Sequence, residues 1–172
     1  LYKGDTWGGT TFTNLIPYDN SSDVWNGFEY KHPKEEIDWG NMYSLVDFVM
    51  NSSDEVFMNE YANYFEIDNI VDYFIFLNTL RATDNTGKNL YFAKYDEKGK
   101  YFFVPWDLDG TFGFIWDASK QDITNDLLFN GLYNRLWEDA TFRLKLTKRW
   151  KELRKDVVTE ENISSLFNHN ID

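Results

Sequence analysis

The chain has 172 residues, 42% hydrophobic and 27% charged, the size and composition of one globular domain or a large part of one. Seventeen Lys and Arg against 29 Asp and Glu leave a net charge of −12, which repels a phosphate backbone and argues against a nucleic-acid partner. Cysteine is absent and only His32 and His169 occur, so disulfides and thiolate metal sites are excluded and zinc chemistry is disfavoured, while no apolar run approaches the roughly 18 residues of a membrane span.

Residues 1 to 40 are rich in Gly, Asn, Asp and aromatics, and short alternating pieces such as "GTTFTNL" and "GFEYKH" predict strands or a long hairpin. The run "YSLVDFVM" from Tyr43 has helical spacing. Next, "NSSDEVFMNEYANYF" supplies a Ser or Asp cap and places Val56, Tyr61 and Tyr64 on a second helical pattern. In "EIDNIVDYFIFLNTLRA", Ile67, Ile70, Val71, Phe74, Leu77 and Leu80 recur at three- and four-residue spacing behind Asp68 as cap, which predicts a buried helix over 67–81. "NLYFAKY" and "KYFFVPW" flank the turn "DEKG", a pattern for an antiparallel hairpin near 89–105 that Pro105 ends. A polar loop from Asp109 to about Asp126 follows. Beyond it, "LLFNGLYNRLWED" and "FRLKLTKRWKELRKD" predict at least one long helix with Phe142, Leu146, Trp150 and Leu153 as its apolar stripe, then a short last helix capped by Thr159. The expected fold is a helix-rich α+β domain.

The polar residues that bracket the hairpin carry the chemical signal. Asp84 is followed five positions later by Asn89. In a kinase catalytic loop an Asp at that spacing accepts the proton of the attacking hydroxyl and the Asn binds a metal. The hairpin then returns the chain so that Asp107 can share a cation with Asn89. Carboxylate and amide oxygens with nucleotide phosphates suffice for Mg²⁺, and nothing softer is required. Asp and Asn are also favoured turn residues, so "TDNTGKN" serves equally as a plain loop. Likewise "PWDLDG" fits a turn, or a calcium loop with Asp107 and Asp109 as alternating ligands, although it lacks the length and closing Glu of an EF-hand.

Taken together, "LYKGD", "FEYKHP", "YANYFEIDNIVDYFIFLNTL", "TDNTGKNLYF" and "VPWDLDGTFG" resemble the CotH family of atypical, spore-coat-type protein kinases. These segments cover the first two-thirds of the chain, most closely from Tyr64 to Gly113. The resemblance implies the C-terminal lobe of a protein-kinase-like fold, a single partial domain over 1–172 whose nucleotide-binding lobe lies upstream of "LYKGD". It implies Asp84 as the catalytic-loop Asp and Asn89 as the metal-binding Asn. Asp107 matches the metal-binding Asp of the Asp-Phe-Gly motif, and Asp109 is a second acid, bound directly or through water or held as a structural acid. It further implies ATP and Mg²⁺ or Mn²⁺ as cofactors, Ser or Thr of a protein, basic and Ser-rich, as substrate, and a spore-coat or extracytoplasmic setting. Ala82 and Thr83 stand where conventional kinases have His-Arg, and Leu108 and Asp109 where they have Phe-Gly. A Gly-rich phosphate loop and a preceding lysine strand are missing, and Lys3 at the start of the chain reads as a solvated side chain, so these 172 residues alone are expected to be weakly active or inactive.

Two other readings compete. In "YDNSSDVWNGFEY", aromatics among acids and amides suit a glycan- or protein-binding module, although most aromatic rings are expected in the core. Alternatively Asp107 and Asp109 hold Ca²⁺ as a scaffold without catalysis.

Overall fold

The computed structural model describes residues 1–121 and 125–169. The expected Asp109–Asp126 loop therefore falls partly outside the described residues, as do the last three residues of "ISSLFNHNID".

The N-terminal region holds three strands, β1 (Tyr2–Gly4), β2 (Val24–Trp25) and β3 (Phe28–Tyr30). Of the two alternating pieces only "GFEYKH" supplies one of them, β3, while "GTTFTNL" forms a 3-10 turn over Gly9–Thr11 followed by irregular chain; β1 and β2 lie outside both pieces. Asn26 and Gly27 join β2 to β3 with both residues at positive φ, the conformation that a two-residue hairpin loop demands and that Asn and Gly tolerate best. Helices α1 (Gly40–Asn51), α2 (Asp54–Tyr64) and α3 (Ile67–Leu80) follow, then β4 (Leu90–Ala93) and β5 (Phe102–Pro105). The sheet they complete is antiparallel in the order β2-β3-β1-β4-β5, so β1 is its central strand and joins the N-terminal hairpin to the β4–β5 hairpin. Period-two alternation turns Tyr2, Phe28, Tyr30, Leu90, Phe92 and Phe103 to one face, where all are buried. Phe92 alone meets the rings of Phe12, Phe28 and Phe103.

Helix α3 packs across this face, apolar nearly all round as its spacing predicted, with Ile70, Val71, Tyr73, Phe74, Ile75 and Leu77 buried. Its N-cap is Glu66, not Asp68; Asp68 lies inside the first turn, where a negative charge suits the helix dipole, and pairs with Lys145. In α2, Ser53 accepts from the Val56 amide and caps the helix, but Phe57 and Tyr61 take the buried face while Val56 is exposed. Of the aromatics in the proposed sugar-binding stretch, Trp25, Phe28 and Tyr30 are buried in the core, while Tyr18 is exposed and rests against Trp25 and Tyr43.

The C-terminal layer is two helices where at least one was expected: α4 (Gly131–Glu138) and α5 (Ala140–Asp156), with α6 (Glu160–His169) after them. The break falls at Asp139, whose carboxylate accepts from the Thr141 amide at 2.7 Å and starts a new helix. Of the α5 stripe, Phe142 is fully buried, Leu146 and Leu153 pack at the edge of the core, and Trp150 is 38% exposed. Thr159 accepts from the Asn162 amide at the start of α6. No helix among the described residues is long and apolar enough to cross a membrane.

Candidate active site

Helix α3 ends on Arg81 in the left-handed conformation, and Ala82 is buried behind it. A single 3-10 turn, Asp84–Thr86, then reverses the chain. The Asp84 carbonyl accepts from the amides of Gly87 and Lys88 and closes the turn, while its carboxylate lies 3.1 Å from the Lys88 ammonium. Both side chains are about one-quarter exposed, 26% for Asp84 and 29% for Lys88, so the ion pair orients the carboxylate at the surface without enclosing it.

Asn89 follows at φ 53° and Asp107 stands at φ 52° just beyond β5. Left-handed backbone favours Asn and Asp among residues with a side chain, so conformation alone accounts for these residue types at both ends of the hairpin. Register accounts for their proximity. Leu90 faces Pro105 across the hairpin, the Trp106 amide donates to the Asn89 carbonyl at 2.8 Å, and the Asn89 side-chain amide lies 3.4 Å from the Asp107 carbonyl. Asp109 is exposed, and no hydrogen bond or ion pair joins its side chain to Asn89 or Asp107 among the described residues. It lines instead a hollow with Phe112 and Trp116.

The residue that stitches the two loops together is Asn85, to which the sequence spacing assigned no role. It is 1% exposed, and its side-chain amide donates both to the Asn89 carbonyl, at 2.6 Å, and to the Trp106 carbonyl, at 2.9 Å. Its own carbonyl accepts from the Tyr73 hydroxyl of α3 at 2.9 Å, and burial holds that phenol far above its ordinary pKa, so it remains a donor. Asn130, the cap of α4, donates to the Thr86 carbonyl at 2.9 Å and fastens the same turn from the other side. Tyr73, Asn85, Thr86 and Asn130 are buried, where an unmade hydrogen bond costs the whole desolvation of its partner, while Asn89 is half-buried and Trp106 exposed. The only cue in the sequence was an amide inside the proposed catalytic loop, indistinguishable there from any turn Asn.

The central strand also presses on this loop. The Asn89 amide donates to the Gly4 carbonyl at 3.0 Å, and a Cβ at Gly4 would sit 2.9 Å from the Gly87 carbonyl, a gap only glycine leaves open. Lys3, expected as a solvated side chain at the start of the chain, is instead part of strand β1. It lies in the middle of the sheet, opposite Glu29 and Tyr91, with its side chain 22% exposed and its ammonium 3.1 Å from Asp5.

Among the described residues no three His, Cys, Asp or Glu side chains lie close enough to share a metal ion. Asp84, Asp107 and Asp109 therefore form no three-carboxylate cage. The contact at the hairpin end is between the Asn89 side-chain amide and the Asp107 main-chain carbonyl; the side chains these two residues bring, an amide and a carboxylate, are oxygen donors of the kind that suits a hard cation completed by phosphate oxygens and water.

No curated protein matches the chain. The profile of the CotH kinase protein family matches residues 1–170, beyond the segments that carried the resemblance and through the C-terminal helices as well. By that match over essentially its whole length, the chain belongs to the CotH kinase protein family.

Proposed function

We propose that this chain is the lobe of a protein kinase that carries the base and the metal ligands, and that it serves transfer of the ATP γ-phosphate to Ser or Thr of a protein. The observation that carries this reading is the meeting of Asn89 and Asp107 at one end of the β4–β5 hairpin, five residues beyond Asp84 on the turn that Asn85 locks to the same hairpin. Asp84 accepts the proton of the attacking hydroxyl, and Lys88 holds its carboxylate in place. Asn89 and Asp107 hold Mg²⁺ or Mn²⁺, with Asp109 as a second acid reached directly or through water. A divalent cation there would neutralise charge on the transferring phosphate. The outward sheet face beside this end, with Tyr91 and Val104 adjacent in register to Lys3 and its acidic neighbours Glu29 and Asp5, offers the nucleotide a part-apolar surface. The calcium-scaffold alternative is less well supported, because it lacks a third carboxylate among the described residues. A basic, Ser-rich segment is the substrate that the net charge of −12 favours.

The test is transfer of labelled γ-phosphate by the full-length protein to a Ser-rich, Lys-containing peptide in the presence of Mg²⁺ or Mn²⁺. Asp84→Asn is expected to lower the rate by about 10²- to 10⁴-fold, the usual worth of a positioned base, and Asp107→Asn to abolish metal-dependent transfer. Wild-type rates in both variants would end the assignment.

A further inference from the structure

Beyond Asp109 the chain builds a small hairpin. Gln121 donates its amide to the Gly113 carbonyl, Ile115 to Ser119 and Ala118 to Ile115, and Phe114 bridges to Lys120. A turn made this firmly would be expected to bury its apolar residues, yet it presents them: Phe112 is 50% exposed, Phe114 41% and Trp116 72%. From α6, Phe167, 52% exposed, sets its ring against Phe112 at 5.6 Å between centroids. A hollow of about 550 Å³ runs from Asp109 past these rings, and a second of about 540 Å³, sharing Phe112 and Phe167, continues along Leu80, Val157 and Ile163. Scattered exposed apolar residues are ordinary in proteins, but a contiguous aromatic groove of this kind marks a surface that something covers.

We propose that this groove docks a polypeptide segment in which an apolar or aromatic side chain is flanked by Lys or Arg. Two features select that occupant. Exposed acids flank the groove residues along the chain, Asp109 and Asp117 on the hairpin and Asp156, Glu160 and Glu161 about α6, and none of the five makes an ion pair among the described residues; the neighbouring cations are Lys120, Arg154 and Lys155, with Arg81, next to Leu80, paired to Asp126. Five acids against three cations leave a net negative rim around an apolar floor, which favours cationic flanks over acidic ones. The groove also begins at Asp109, two residues from Asp107, so a docked segment passes directly by the hairpin end. That such a segment carries the acceptor hydroxyl rests on the kinase reading above; the docking itself does not.

The experiment uses the chain with a fluorescent peptide holding one Ser, a Phe-Leu pair and flanking lysines, followed by anisotropy. Replacing Phe-Leu by Ala-Ala is expected to weaken binding about tenfold, and so is Trp116→Ala in the protein, since a buried aromatic anchor commonly dominates such contacts. The Ala-Ala peptide is expected to be indifferent to Trp116→Ala, and glutamates in place of the lysines to reduce binding further at low salt. Trp116 is exposed enough that its removal leaves the fold intact, and Phe167→Ala provides an independent second variant. Equal affinity for the Phe-Leu and Ala-Ala peptides, or no effect of either protein variant, overturns the proposal. So does a concentration-dependent dimer in sedimentation that Trp116→Ala abolishes and the peptide fails to displace, which assigns the groove to a second copy. Docking that persists in a full-length protein unable to transfer phosphate supports the groove and removes the kinase reading. Transfer whose KM for this peptide ignores Trp116→Ala retires the groove alone.

Discussion

Around Asn85 the side chains that donate, those of Asn85, Tyr73 and Asn130, are buried, and each is matched to a main-chain carbonyl, although the Asn89 carbonyl also accepts from the Trp106 amide. Along α5 the polar groups meet in the open: Arg149 grips Asp72 with both partners more than 40% exposed, and Lys145 reaches an Asp68 that is 89% exposed. Both sets tie one segment to another, but they resist perturbation differently. A buried amide bridging two carbonyls is replaced only in part when it is removed, whereas an exposed guanidinium leaves behind a carboxylate that water solvates at once. The fold thus concentrates its fixed geometry where the two loops of the proposed site meet and leaves the outer helical layer more forgiving.

The largest effect expected from this contrast comes from Asn85→Ala. It deprives the Trp106 carbonyl of this donor and leaves the Asn89 carbonyl with the Trp106 amide alone, and is expected to cost about 2 kcal/mol in urea unfolding, with the alignment of Asn89 and Asp107 lost as well. Asn85→Asp sharpens the point, because a carboxylate of nearly equal shape brings acceptor oxygens to face two carbonyls. If either variant unfolds like the parent chain, the two loops are held by the sheet alone and the bridging role is wrong.

Asp139 lies between the two regimes. It caps α5 through the Thr141 amide and accepts from the Tyr61 hydroxyl of α2 at 2.6 Å. Burial pulls its carboxyl upward, but the hydrogen bonds from Tyr61 and Thr141 outweigh it and leave the pKa below its ordinary 3.8. A depressed folded pKa contributes stability that is complete above the unfolded value and disappears as pH falls through the folded one. Asp139→Ala is therefore expected to cost about 1–2 kcal/mol at neutral pH, and less as the parent itself loses the contribution below pH 3.8. Urea midpoints of parent and variant measured across that range should converge in acid. A constant gap would show that the lost contact, not the charge, accounts for the effect.

Much of this was legible before any coordinates. Helix α3 and the β4–β5 hairpin announce themselves through unbroken periodicity, and the Asp84–Asn89–Asp107 spacing places the proposed site at the end of that hairpin because strand register is a local property. What stayed hidden depends on long-range contact. Three-residue strands such as β1 are too short to show a period, so nothing marked Tyr2–Gly4 as the central strand or Lys3 as a sheet residue. The Asn26-Gly27 turn was a usable sign of where the hairpin in the first 40 residues lies, beyond the general expectation of strands there. Asn85 carries no such sign, since an Asn that bridges two buried carbonyls and an Asn that fills a turn are written with the same letter.

The smallest effect tests the forgiving side of the contrast. Arg149 donates from Nε and from one terminal nitrogen to the two oxygens of Asp72, at 2.7 and 3.0 Å, a two-pronged geometry stronger than a single contact. Exposure works against it, because water screens the attraction and competes for every donor. A double-mutant cycle with Arg149→Ala and Asp72→Ala is expected to give a coupling of about 0.2–1 kcal/mol that shrinks as salt is raised from physiological strength toward molar. A coupling of several kcal/mol that ignores salt would mean that α5 is fastened as rigidly as the Asn85 turn. Stability would then be spread evenly through the fold, and the ion pairs of α5 would belong with the buried bridges.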